Sequence, residues 1–430
     1  ISYGQRSDRH SDSERLIDST LARNSSLLLM LNKNGNHLFR SITSLRTLDI
    51  IDTNITSTKA DSILLNRIEY RSKFFGGAIL SNVFYETGSG MEVKKEFSYV
   101  NVPTGQGLYI YRDNNDNGIK ELDEFELAPS SLIYSADYIR VFIPTNEFVK
   151  TYTNQFTHNV SIRPKVIWRT NKGLKGLLGR CSDQLTYTIN RKTNQRIGYN
   201  TYNPFYFLVN DSILVSQNRS FRNVLSFNRS HPVFGIDFIF QNLNNKVLLT
   251  GGFEQRAKQS IELKPRWNIT KEVMLKGNAE SGYKKLASDF LTNRNYNILY
   301  NSYESTIVFQ FNTNYRVAVN YKLSLKENDS ELNESLSMNT IGLETKINIQ
   351  KKGIFVANLD LIYINYPFAN NSSLAFEMLE GLNSGSNATW LVSFQRTLAK
   401  NLQISLTYNG RWNQQSNLIH VGSAQARAFF

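Results

Sequence analysis

An all-β chain is what the sequence predicts, and within that class a transmembrane antiparallel β-barrel of roughly 14–20 strands with a small insert bearing a calcium loop. Three observations lead there. Apolar and polar residues alternate with period two in run after run. No apolar stretch approaches the roughly 20 residues that a membrane-spanning helix needs, and runs such as Leu27–Leu31 are the longest. The chain carries 26 Phe, 22 Tyr and 4 Trp in 430 residues but only 8 Pro. Aromatic rings pack well on a pleated surface, whereas Pro removes a donor from the ladder.

The chain opens at Ile1 without a basic n-region or apolar h-region, as expected after removal of a signal peptide or where upstream sequence is missing. Residues 1–89 are expected to be β-rich, with Ser26–Tyr85 supplying early barrel strands. Residues 90–150 carry an Asp-rich loop, and 151–430 are expected to form the C-terminal barrel. In Arg316–Lys326, Val317, Val319, Tyr321, Leu323 and Leu325 point one way and Arg316, Asn320, Lys322, Ser324 and Lys326 the other. The same alternation runs through Phe234–Gln241, Gln259–Trp267, Val273–Glu280, Thr306–Asn312, Ile341–Ile349, Trp390–Gln395 and Asn401–Asn409. Short turns are expected at Asn242–Asn245, Asn312–Asn314, Lys351–Gly353 and Ala399–Asn401. Longer loops are expected at Lys326–Ser335, Asn370–Ser373 and Asn383–Asn387. Short turns on one side and longer loops on the other suit an up-and-down barrel. Several runs reach about 9–11 residues, enough to cross a bilayer at a tilt. A soluble sandwich also alternates, but its strands average about 5–6 residues.

Asp113-Asn-Asn-Asp-Asn-Gly-Ile-Lys-Glu-Leu-Asp-Glu124 fits the spacing of a calcium-binding loop in full. Ca²⁺ takes six to eight oxygen ligands. The spacing supplies the side chains of Asp113, Asn115 and Asn117 and the carbonyl of Ile119. Glu121 contributes directly or through water, Glu124 gives a bidentate carboxylate, and Gly118 permits the sharp turn. Asn at two ligand positions lowers the site's charge. The flanks Gly107–Tyr111 and Phe125–Ala128 do not read as a helix pair, so a strand–loop Ca²⁺ site that stiffens an exposed segment is expected.

Other chemistry is weakly represented. Cys181 stands alone, which excludes a disulfide scaffold. The five histidines are scattered at no metal-ligand spacing. No sequence feature joins a Ser to a His as a hydrolase requires, and Gly173–Gly179 lacks the Gly-Lys-Ser/Thr end of a phosphate loop. The net charge of +13 comes from Lys and Arg spread along strand faces, which argues against nucleic acid; the cations are expected to meet anionic outer-membrane lipid and lipopolysaccharide, to line a cation-rich lumen, or to form a plain solvated face. Trp168, Trp267, Trp390 and Trp412 are candidates for interfacial girdles.

Four C-terminal stretches, Glu377–Leu382, Asn387–Trp390, Asn401–Arg411 and Ile419–Phe430, resemble the C-terminal end of large outer-membrane β-barrel proteins of Bacteroidota. Glu96–Tyr109 and Asp137–Lys150, which bracket the Asp-rich loop, resemble an upstream block of the same proteins. The resemblance covers residues 75–160 and 370–430 well and the remainder by strand pattern only. It implies a bacterial outer-membrane location and says little about activity. Some barrels of that phylum serve in multi-component machines for export or assembly. The expected function is therefore a non-enzymatic subunit of a larger outer-membrane complex, with other outer-membrane or periplasmic proteins as partners. No segment reads as a plug or an energy-coupling box, which disfavours an energised transporter of the TonB-dependent kind. The alternatives are a passive porin or transport channel, a soluble extracellular calcium-binding β-sandwich adhesin, and a barrel hydrolase.

Overall fold

A computed structural model describes the chain apart from residues 13–14, 53–59, 130–131, 170–171, 208, 250, 330–332, 350–352, 371, 400–401, 415 and 429–430. The fold is all-β and antiparallel. The first strands are β1 (Ser2–Asp12), β2 (Arg15–Lys33), β3 (His37–Ile50), β4 (Asp61–Phe74) and β5 (Ile79–Asn101). Two short strands follow, β6 (Tyr109–Tyr111) and β7 (Phe125–Leu127), then β8 (Tyr138–Ile162), helix α1 (Gly173–Leu178), β9 (Cys181–Thr193) and β10 (Leu214–Phe227). Next come β11 (Phe234–Leu249), β12 (Gly252–Asn268), β13 (Val273–Ser288), β14 (Tyr296–Gln310), β15 (Tyr315–Asn328), β16 (Ser335–Ile349) and β17 (Gly353–Asn365). Helix α2 (Ser373–Leu379) precedes β18 (Gly385–Ala399), β19 (Leu402–Asn413) and β20 (Ser416–Ala428). Among the described residues these strands belong to one sheet. Among the described residues no helix is long and apolar enough to cross a membrane, which says nothing of strands.

Two compact units divide the chain. The first comprises Ile1–Lys94, Pro144–Leu225 and Asn242–Thr250, and the second Lys95–Ile143, Ser226–Gln241 and Gly251–Phe430. In the first unit β1 to β5 pair in sequence order and β8 pairs β9. Its sequestered face is polar: Thr151, Asn154, Arg191 and Thr193 are almost fully buried, beside a small apolar cluster of Phe156, Tyr187 and Ile189. Leu45 and Leu64, directly opposite each other on β3 and β4, are exposed. The Arg191 guanidinium donates to the carbonyls of Tyr206 (2.5 Å), Asn200 (2.8 Å), Thr201 and Asn203 (3.2 Å each), which folds the connection after β9 back over this face.

In the second unit β12 to β20 form a continuous meander. Register brings like residues into rows. Trp267, Leu275, Ile307, Val319, Leu343, Leu359 and Trp390 are successive cross-strand partners. A second row runs Tyr321, Ile341, Leu361, Ala388, Trp412. Most of these residues are exposed, Val319, Leu343 and Leu361 at 43%, 44% and 53%, while Leu275, Ala388 and Trp390 are half-buried. One residue along, on the opposite face, lie Lys276, Thr306, Asn320, Gly342, Asp360, Thr389 and Arg411, all buried or half-buried. A soluble sandwich would have the reverse polarity. Gly342 leaves room on the polar face, where a Cβ would stand 2.2 Å from Asn320 Oδ1 and 2.4 Å from Asp360 Oδ1.

The alternating runs lie in strands except at two ends, Phe311–Asn312 beyond β14 and Asn401 outside the described residues, and β12 to β18 have 13 to 17 residues each. The turn at Asn312–Asn314 is present, with Asn312 Oδ1 accepting from the backbone N–H of Asn314 and Tyr315. The turn expected at Asn242–Asn245 is not. Those residues continue β11, because a sheet with a polar sequestered face accommodates Asn where an apolar core would exclude it. The loop at Lys326–Ser335 is shorter than expected, since β15 reaches Asn328. The loop at Asn370–Ser373 leads into α2 instead of a strand, and β18 takes up Gly385–Asn387. Lys351, Lys352, Lys400, Asn401 and the terminal aromatics Phe429 and Phe430 lie outside the described residues. Positions 89 and 150, the expected segment boundaries, fall within β5 and β8.

Candidate functional site

The polar face of the second unit is partly covered by two elements, helix α2 and the insert between Val102 and Asp137. Ser372 starts α2 by accepting, through Oγ, the N–H of Ala375 at 3.0 Å. Left-handed Glu380 (φ 53°) and Gly381 (φ 73°) end it. The helix buries Ala375, Met378 and Leu379 against Ile298, Leu336, Met338, Ile362 and Ile364, where the strands' inner face turns apolar at one end. Burial of Met378 and Leu379 contributes about 1.5–3 kcal/mol each. Gly381 abuts the insert so closely that a Cβ would lie 2.2 Å from Leu132 Cδ1.

The insert pairs β6 with β7 and packs Tyr99, Tyr109, Phe125 and Tyr138 together, the Tyr99 and Phe125 rings stacked at 4.2 Å. Charged groups tie both elements to the wall. Arg294 Nη2 donates to the Phe125 carbonyl at 3.1 Å and lies 3.4 Å from Glu126 Oε2. Glu126 also accepts from the Ser373 hydroxyl, so one carboxylate links insert, helix and wall. Arg112 donates to the Asn370 carbonyl. Arg140 and Arg256 converge on Glu254, each at 3.2 Å. Lys284 pairs with Glu377 at 2.7 Å, and Lys326 with Glu380 at 2.9 Å, Lys326 also donating to the Met378 carbonyl at 2.8 Å. Burial works against the Glu380 carboxylate, but the ammonium groups of Lys326, Lys322 and Lys284 outweigh it and hold the pKa at about 2.

The six residues of the Asp-rich loop are brought into one turn. Asp113 accepts from the N–H groups of Asn117 (3.2 Å) and Gly118 (2.8 Å). Asn115 Oδ1 accepts from Asn117 N–H, and its amide donates to Glu121 Oε2 at 2.7 Å. Asn117 Oδ1 accepts from Ile119 N–H at 2.6 Å, and the Ile119 carbonyl accepts from the Tyr111 hydroxyl at 3.5 Å. Glu124, 1% exposed, accepts from Asn114 N–H through one oxygen and Glu121 N–H through the other. Positive φ at Asp116 and Gly118 closes the turn. The flanks are strands, as the sequence implied. The oxygen-only donor set suits a hard cation, and the buried Asn114 Oδ1 has no hydrogen-bond partner. Among the described residues no three His, Cys, Asp or Glu are grouped to hold a metal. Burial, then the charges of Asp113 and Glu124, pushes the Tyr111 phenol upward.

Arg112, Glu126, Glu254, Arg294, Lys326 and Ser373 were not singled out by sequence. Glu126, Glu254 and Lys326 are charged residues within strands, a common occurrence here, and Arg112, Arg294 and Ser373 lie in connections or at the start of α2, where local sequence gives no signal. Structure also joins a pair that sequence did not: Ser81 Oγ lies 2.9 Å from His158 Nε2. No carboxylate hydrogen bond to His158 accompanies it among the described contacts.

No protein-family model and no curated protein matches the chain. Solved structures similar to it are outer-membrane proteins. The ferric-catecholate import receptor Fiu of E. coli K12 aligns over 95% of this chain and 69% of its own, at 11% identity and a TM-score of 0.38. The FrpB iron transporter of Neisseria meningitidis aligns over 95% and 71%, at 8% identity and 0.38. Salmonella typhi OmpF in complex with daunomycin aligns over 91% and 94%, at 10% identity and 0.32.

Glu126→Ala strands the Arg294 charge, which is 2% exposed, and is expected to cost about 3–5 kcal/mol. Proteolysis within 102–137 should accelerate accordingly. Glu380 ionises below the value of about 4.3 of an unfolded Glu. Its contribution is therefore complete at neutral pH and is lost as pH falls from about 5 toward 2. Hydrogen exchange of α2 amides should rise over that window in the wild type, and Glu380→Gln should remove the acid dependence.

Proposed function

We propose that the chain is an integral β-barrel of a bacterial outer membrane and that it works as a non-enzymatic, obstructed scaffold subunit of a larger export or assembly complex. The carrying observation is the row of apolar cross-strand partners from Trp267 to Trp390, exposed at Trp267, Ile307, Val319, Leu343 and Leu359 and half-buried at Leu275 and Trp390, backed by the polar row one residue along. Such a sheet is stable where lipid replaces water on its apolar face and every backbone group is paired along the ladder. The likeness of residues 75–160 and 370–430 to Bacteroidota outer-membrane barrels supports the same compartment and the context of a multi-component machine. Partners would be identified by pull-down from native membranes.

Leu343→Lys puts a charge into the apolar row and is expected to cost about 2–4 kcal/mol near the bilayer midplane. The wild type should survive carbonate washing of vesicles and show heat-modifiable migration on a cold denaturing gel, and the variant should lose both. A wild type that is soluble and folded without detergent would instead be an adhesin.

The scaffold reading rests on the insert and α2, which are held to the inner wall by Glu126, Glu377 and Glu380. Planar-bilayer recordings are expected to be silent for the wild type and to show steps for a Glu126→Ala/Glu380→Gln variant. Steady ohmic steps in the wild type would make the protein a passive channel.

Ca²⁺ at Asp113, Asn115, Asn117, Ile119, Glu121 and Glu124 is proposed as a stiffener of the insert, supported by the oxygen donor set and the unpartnered Asn114 Oδ1. When bound it supplies charge neutralisation and no chemistry. Calorimetry at millimolar Ca²⁺ should give a heat of binding that is absent in Asp113→Ala and Glu124→Ala, and a wild type without heat excludes the site.

A further inference from the structure

We infer that the connection between β8 and β9 is an interfacial anchor that binds the anionic headgroups of the phospholipid leaflet on the short-turn side. The inference rests on the membrane-barrel reading above. Residues 163–180 contain six Lys or Arg and no Asp or Glu, in a chain whose basic and acidic residues number 49 and 36 overall. Every one of these cations is exposed, and none makes an ion pair among the described residues. The same stretch exposes Val166, Ile167, Leu174, Leu177 and Leu178, with Leu174 at 80%. An exposed apolar cluster ringed by unneutralised cations is costly in water. It suits a membrane surface, where side chains enter the acyl boundary and ammonium and guanidinium groups meet phosphate.

The segment is built rather than loose. A 3₁₀ turn at Pro164–Val166 is closed by Ile167 N–H and Trp168 N–H donating to the Pro164 carbonyl. Helix α1 then packs back on it, because Gly179 has no Cβ where one would stand 3.1 Å from the Trp168 carbonyl. Its position follows from the first unit alone. Arg163 N–H donates to the Ala78 carbonyl at 2.7 Å, beside the tight turn between β4 and β5. The tight turn between β2 and β3 closes at the same end of the strands. In outer-membrane barrels the short turns are periplasmic, and the leaflet on that side is phospholipid. Phe75 on the adjacent turn is 69% exposed and extends the apolar surface.

The test uses the whole chain in vesicles of phosphatidylcholine with about one-third phosphatidylglycerol. Cys181, the sole cysteine, follows the segment directly and takes an environment-sensitive fluorophore. Either lipid is supplied in brominated form as quencher. Stronger quenching by brominated phosphatidylglycerol than by brominated phosphatidylcholine is expected. That preference should weaken in high salt and disappear in Lys165→Gln/Arg169→Gln/Lys172→Gln/Lys175→Gln. Equal quenching in the wild type, or a preference that survives in the variant, overturns the anchor. So does a preference abolished by inorganic phosphate at constant ionic strength, which would indicate a free-anion site. Carbonate retention and heat-modifiable migration are read on the same vesicles. If both hold while the preference is absent, the anchor alone fails; if both are lost, the barrel reading fails and the anchor with it.

Discussion

Hydrogen-bond pairing of the backbone across neighbouring strands is the constraint on which the rest depends. A strand turned toward hydrocarbon can present only side chains that need no partner, so its N–H and C=O groups must be met by the next strand. Long strands in unbroken meander order satisfy that demand, and register then decides which side chains lie side by side. Val319, Leu343 and Leu359 share a row because of register, not because of their places in sequence. A slip of one residue would exchange the rows and turn Asn320, Glu344 and Asp360 outward. Sheet pairing and surface polarity are thus one problem solved together.

A polar inner face creates a second problem, since the side chains it collects need partners. The second unit meets it with pieces of its own chain. The insert and α2 bring Glu126, Glu377 and Glu380 to Arg294, Lys284 and Lys326, and the surplus cations draw the Glu380 carboxyl far into its ionised form. Apolar contacts of Met378 and Leu379 add packing where the wall itself becomes apolar. Ser373 on Glu126 at the start of the short helix, and ion pairs of Glu377 and Glu380 beside the apolar contacts of Met378 and Leu379 at its end, together make its position specific.

Much of this was legible in the amino-acid order, for a reason that also marks the limit. Period two is a local property, so the strands carrying Val317–Leu325 or Leu402–Tyr408 announce themselves. The turn chemistry of Asn312 is local too. Asn242–Asn245 misled because Asn in a strand is judged against an apolar interior that this sheet does not have. The seven residues of α2 are too few to show a helical stripe. The contact between Glu126 and Ser373 spans 247 positions, and nothing near either residue foretells the other. The Asp-rich loop was readable as a turn with oxygen donors, whereas the hydrogen bonds that hold Glu124 to the N–H groups of Asn114 and Glu121 are a property of three-dimensional placement.

Arg191 carries a lesson of a different kind. Among the described residues its guanidinium has no acid beside it and is instead ringed by four main-chain carbonyl oxygens from a single connection. The arrangement works like a hydration shell made of peptide, in which partial dipoles stand in for water around a monovalent ion. A shell of that sort does not peel away one dipole at a time without leaving the cation half-solvated, so the connection is held in place cooperatively. Whatever displaced it would have to bring its own oxygens, as water entering in number or as a carboxylate.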